Sequence, residues 1–221
     1  MRGRARLARG YVRLRSRNPT NRVLAFDHYR RVANSRNPNA EYHVGIFYLY
    51  GRGVRKNRRA GIAWLRRAAM HGEDTAVHML GYCYRYGHGV SRNLRKGFTL
   101  ELEAAKKGVT EAQFSVGVCF SRGEGVSANF AKAFKWYLAA ARKGHDEAAH
   151  NVACYYETGR GVRQNAKRAT KWYASAKAIR SAAGSPTRKF KLSPAPKNGI
   201  VTPPVKTRVI QHRSSAILQG F

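Results

Sequence analysis

Acid is what this sequence has least of. Only 11 of its 221 residues are Asp or Glu, against 43 Lys and Arg, for a formal net charge of +32. The first acid is Asp27, and residues 181–221 contain none. Glu101 and Glu103 fall on different faces of a helix, so they offer no pair for general acid and base work. Cysteine is also sparse. Cys83, Cys119 and Cys154 make an odd set without a C-x-x-C spacing, which excludes a disulfide framework or a Cys-rich zinc site and favours a reducing compartment.

Other signals are missing. No apolar run approaches the roughly 18 residues of a membrane span, and the amino terminus lacks the continuous apolar core of a secretory signal. GRGV and GHGV are too short for a phosphate loop, and no G-x-x-x-x-G-K-[ST] occurs. The eight histidines are scattered, with no H-x-x-x-H beside a carboxylate. No catalytic, cofactor-binding or metal site is expected, nor a small-molecule substrate, and the chain reads as a non-enzyme. Its expected location is intracellular and cytoplasmic, with the mitochondrial matrix as the alternative.

What is present is a repeat. The window Ala76 to Gly108 can be shifted by 36 residues onto Ala40 to Gly72, Ala112 to Gly144 and Ala148 to Arg180 without an insertion. Gly51, Gly87, Gly123 and Gly159 align, followed by Gly53, Gly89, Gly125 and Gly161, then by a Val column and an Asn column at Asn57, Asn93, Asn129 and Asn165. The first Gly ends helix A in the left-handed conformation, and the Asn caps helix B. Each unit is helix, glycine turn, helix. Gly45, Gly81 and Gly117 lie inside helix A, where each costs about 1 kcal/mol against Ala. Close approach of the partner helix is the expected reason. Trp64, Leu100, Trp136 and Trp172, with Tyr48, Tyr84, Phe120 and Tyr156, read as core columns.

The pattern A-x-x-x-L-G-x-x-Y-x-x-G-x-G-V-x-x-[DN]-x-x-K-A-x-x-W-Y-x-x-A-A-x-x-G resembles the Sel-one-like repeats, relatives of the tetratricopeptide repeat. Residues 112–144, AQFSVGVCFSRGEGVSANFAKAFKWYLAAARKG, match it almost throughout. Departures are mild: Asn stands for the commoner Asp, Leu100 for Trp, and Ala153 for Gly. The resemblance implies an all-α, right-handed superhelical solenoid of tandem helix-turn-helix repeats, with helix A lining the inner surface. It also implies a binding scaffold with varied partners.

The chain divides accordingly. Residues 1–21 are a basic arm or a degenerate helix, residues 22–39 a capping helix, and the repeats span 40–75, 76–111, 112–147 and 148–180; residues 181–221 form a basic, proline-containing tail. The amino terminus has three open readings: a transit peptide, an RNA-binding arm, or the first helix of an incomplete repeat. Asn21, one period before Asn57, supports the last.

Two sets of residues are candidates for binding. Variable positions on helix A, namely Tyr42, Tyr50, His78, Arg85, Tyr86, Phe114, Arg122 and His150, would line a groove for a protein segment. Cations around the glycine turns, namely Arg52, Arg55, Lys56, Arg58, Arg59, Arg92, Arg95, Arg160, Arg163 and Lys167, would gather along one edge and meet a polyanion. His88 and Lys96 share that zone, and Glu124 weakens it in the third repeat. The expected partner is an acidic protein segment or subunit. The alternative is RNA, with the chain as a structural subunit of a ribonucleoprotein, since residues 1–72 carry +16 and residues 145–221 carry +11.

Overall fold

The computed structural model describes residues 19–182. The basic stretch 1–18 and the tail from 183 onward, with their open readings, lie outside the described residues. Every regular element described is a helix: α1 Pro19–Ala33, α2 Pro38–Tyr50, α3 Arg58–Met70, α4 Asp74–Tyr86, α5 Leu94–Lys106, α6 Thr110–Arg122, α7 Phe130–Arg142, α8 Asp146–Thr158 and α9 Ala166–Ala182. Each packs against the helix before and the helix after it. The result is an all-α solenoid in which α2/α3, α4/α5, α6/α7 and α8/α9 are the repeat pairs.

Local chemistry sets the boundaries. The side-chain carbonyls of Asn57, Asn93, Asn129 and Asn165 accept the amides of Ala60, Lys96, Lys132 and Arg168 at 2.8–3.0 Å, satisfying one orphan donor at each helix B start. Gly51, Gly87, Gly123 and Gly159 close the A helices with φ near +70°. Asn37 caps α2 with Pro38 at the first helical position, where the missing amide costs nothing.

Glycines inside the helices let the paired backbones touch. A Cβ on Gly45 would lie 2.9 Å from Leu65 Cγ, and one on Gly61 2.8 Å from Leu49 Cγ, so the two helices run antiparallel in close contact. Gly81 meets Glu101 in the same way, and Gly117 meets the ring of Tyr137. Ala153 holds this place in the fourth repeat and is fully buried.

The second turn glycine joins one repeat to the next. A Cβ on Gly53, Gly89, Gly125 or Gly161 would run into the backbone of Arg22, Arg58, Leu94 or Phe130, residues that recur at the same 36-residue step. Helix α1 therefore occupies the place of a helix B preceding the first repeat. It begins at Pro19, three residues before the expected Arg22, because proline suits a helix start.

The core is a chain of apolar layers. Phe26, Tyr29 and Phe47 join α1 to α2, Leu49, Leu65 and Met79 join α2, α3 and α4, and a third layer from Val77 to Ala176 carries the rest. The tryptophan column, read as core, lies at the margin of these layers. Trp64, Trp136 and Trp172 pack against these layers half-buried, while the next column, Leu65, Glu101 and Tyr137, points inward.

Candidate binding surface

Helix A exposes less than its variable columns suggest. Tyr42 is 4% exposed and His78 6%, because each is covered when the following repeat stacks on. Burial holds the His78 and His43 imidazoles down at about 4, so both are neutral at pH 7. Phe114 is half-buried and stacked on His145 at 4.4 Å, and His150 is half-buried against Tyr173 at 5.2 Å. These four side chains sit among the repeats instead of lining an open groove. Of the groove candidates, Tyr50 and Tyr86 are half-buried, and Arg122 pairs with Glu124 at 3.6 Å.

Arg85 is the larger correction. Placed by sequence on the groove, it is 4% exposed, with Nη1 2.9 Å from Glu101 Oε2 and Nε 3.1 Å from Glu124 Oε2. Its Nη2 donates to the Tyr86 hydroxyl at 2.7 Å. The guanidinium is consumed inside the fold. Glu101 is fully buried opposite it.

The turn cations remain at the surface. Arg55, Lys56, Arg58, Arg59, Arg92, Arg95, Arg163 and Lys167 are exposed. Arg52 and Arg160 are half-buried, their guanidinium carbons 5.6 Å from the Tyr50 ring and 5.1 Å from the Phe130 ring. Because each A–B turn abuts the start of the preceding helix B, these residues follow one another along one edge. The third repeat interrupts the row, since Glu124 stands there beside uncharged Ser127 and Ala128.

The other edge is mixed in charge. Glu73, Asp74, Glu111, Asp146 and Glu147 begin the A helices, where the macrodipole favours them, and Lys106, Lys107, Arg142 and Lys143 end the B helices. Lys107 reaches Asp74 at 2.8 Å. Opposite charges thus neutralise one another on the B–A side and cations accumulate on the A–B side.

Between the first two A–B turns lies an open cleft of about 900 Å³, lined by Lys56, Asn57, Arg58 and Arg59 on one wall and by Gly87, Gly89, Val90 and Ser91 on the other. Beside it, Tyr82, Tyr86 and His88 form a ring cluster, with Tyr82 4.7 Å from Tyr86 and 5.6 Å from His88. Burial, then the charges of Arg58 and Lys56, lower the His88 pKa. Tyr82 was missed as a candidate because its column otherwise holds Ile46, Val118 and Cys154, which read as core. Among the described residues no cluster of His, Cys, Asp or Glu is placed to hold a metal ion, and no helix is long and apolar enough to cross a membrane.

The Sel1 repeat pattern matches residues 38–73, 75–109, 110–145 and 146–178, well over half of the chain. The chain belongs to the Sel1 repeat family. Among solved structures, a Sel1 repeat protein from Oxalobacter formigenes is similar at 27% identity and a TM-score of 0.72, over 80% of this chain and 72% of that one. A protective antigen of uropathogenic Escherichia coli with an SLR fold is similar at 30% identity and a TM-score of 0.66, over 69% of this chain and 33% of that one. No curated protein matches the chain. Sel1 repeat proteins are in general protein-interaction scaffolds and typically non-catalytic.

Proposed function

We propose that this Sel1 repeat chain is a non-enzymatic scaffold that docks an acidic protein segment along its A–B turn edge, inside the cell, where its three free cysteines stay reduced. The supporting observation is the sorting of charge. Arg55, Lys56, Arg58, Arg59, Arg92 and Arg95 are exposed on the first two turns, while the acids of the same repeats at the A-helix starts face cations on the other edge. Like charges placed side by side repel one another and gain by meeting an anionic partner.

A labelled oligoglutamate peptide tests this by fluorescence anisotropy. Wild type should bind at low salt, and the triple variant Arg55→Glu, Arg58→Glu, Arg59→Glu should bind at least about tenfold more weakly, with a flatter salt dependence. Equal binding by the two proteins would overturn the reading.

A second reading, a structural RNA-binding subunit, is favoured by a different observation: half-buried rings stand next to the cationic cleft. Oligonucleotide binding at low salt that falls steeply as salt rises is its expected signature.

A further inference from the structure

Three columns of the repeat turn aromatic together in the second copy alone. Position 82 is Tyr where the other repeats have Ile46, Val118 and Cys154. Position 88 is His where they have Arg52, Glu124 and Arg160, and position 86 is Tyr where they have Tyr50, Arg122 and Thr158. Packing does not require these rings, because aliphatic and charged residues serve the same fold elsewhere. Tyr82 and Tyr86 are one helical turn apart on α4, and Gly87 and Gly89, both at positive φ, bring His88 back over them.

The cluster is held in place from behind. The Tyr86 hydroxyl accepts from Arg85, whose guanidinium is fixed by Glu101 and Glu124, and Arg92 Nε donates to the Arg85 carbonyl at 3.2 Å. All three rings are half-buried, and the Arg85 guanidinium lies 4.9 Å from the Tyr86 ring centroid. The cleft beside His88 presents Lys56, Arg58 and Arg59, and the charges of Arg58 and Lys56 reach the imidazole. Flat rings on the second turn thus adjoin cations of the first.

We propose that Tyr82, Tyr86 and His88 stack the bases of a single-stranded RNA segment while Lys56, Arg58 and Arg59 hold its phosphates. This rests on the RNA reading and names the site for it. An acidic peptide would satisfy the cations and leave the rings without a role. A duplex would keep its bases stacked inside and meet only the cations. Single strands supply both anions and exposed π-faces, and ring stacking of this kind tolerates any base.

The test uses the full chain and a labelled 12-nucleotide oligouridylate at low salt, with inorganic polyphosphate and oligoglutamate as baseless competitors. The variant Tyr82→Val, His88→Ala takes the residue of the third repeat at position 82 and removes the imidazole at position 88, and circular dichroism checks that its helicity matches wild type. Oligouridylate affinity should fall about tenfold or more in this variant, with polyphosphate and oligoglutamate competition unchanged. Arg58→Glu, Arg59→Glu should weaken all three ligands. The ends of the chain are common to every protein compared, so the ratio isolates the rings. If wild type binds no oligouridylate, the RNA reading fails together with the site. If wild type binds and the ring variant binds equally, the RNA reading stands and the site is overturned. A ring variant that loses oligoglutamate as much as oligouridylate also overturns it.

Discussion

Arg85 in α4 and Glu101 in α5 face each other across 2.9 Å inside the second repeat, at the positions that Leu49 and Leu65 fill in the first. An ion pair has replaced an apolar pair without disturbing the helix register. Removing one member leaves the other charge buried. Arg85→Leu or Glu101→Leu alone should therefore cost about 3–5 kcal/mol, measured by urea denaturation. The double variant restores the arrangement of the first repeat and should lie close to wild type or above it. A double variant no better than the singles would show that Glu124, Tyr86 and Cys119 depend on this pair for their own placement.

Two buried histidines make the fold acid-sensitive. His43 and His78 have Nδ1 atoms without a hydrogen-bond partner, and burial lowers both to about 4; the neighbouring Arg85 and His145 add to the effect on His78. As pH falls, the unfolded chain takes up these protons near 6.5, before the folded one does. Stability is thus present above about 6.5 and is lost progressively as pH falls towards about 4, by on the order of 3 kcal/mol for each histidine. The variant His43→Met, His78→Phe borrows Met79 and Phe114 from the same columns. Its urea midpoint should depend less on pH across that window, and an unchanged pH profile would remove the histidines as the cause.

Legibility in the sequence followed the range of the interaction. The Asn57-type caps and Gly51-type terminations were readable because each depends on backbone chemistry within a few residues. Gly45 and Gly81 were readable as close contacts because a helix tolerates interior glycine only for a packing reason. Tyr42 and His78 were misread because a variable position on helix A resembles a binding surface until the next repeat is stacked on it. Arg85 was misread for a related reason: its partners are 16 and 39 positions away, on another helix and another turn. One signal was available. The columns of residues 85 and 101 change together, from Leu and Leu to Arg and Glu. The ring cluster was missed because Tyr82 shares a column with aliphatic residues, and only the path of the turn brings His88 to it.

Gly125 carries the junction between the second and third repeats. It has φ +75°, and a Cβ there would lie 2.2 Å from the Leu94 carbonyl oxygen at the start of α5. Gly72 has φ +92° with nothing within 4 Å, so it isolates the conformational cost from the contact. Gly72→Ala should cost about 1–2 kcal/mol from the left-handed backbone alone. Gly125→Ala should add roughly 1–3 kcal/mol from overpacking against a backbone atom that cannot give way without parting the repeats. In a solenoid, stability is a sum of repeat terms and neighbour terms, so weakening one junction uncouples the segments on either side. Tryptophan is absent from the second repeat and present at Trp64, Trp136 and Trp172. Urea unfolding of Gly125→Ala should therefore give fluorescence and circular dichroism curves that no longer coincide, while those of Gly72→Ala remain superimposed. Coincident curves in both variants would mean that the turn contact does not couple the repeats.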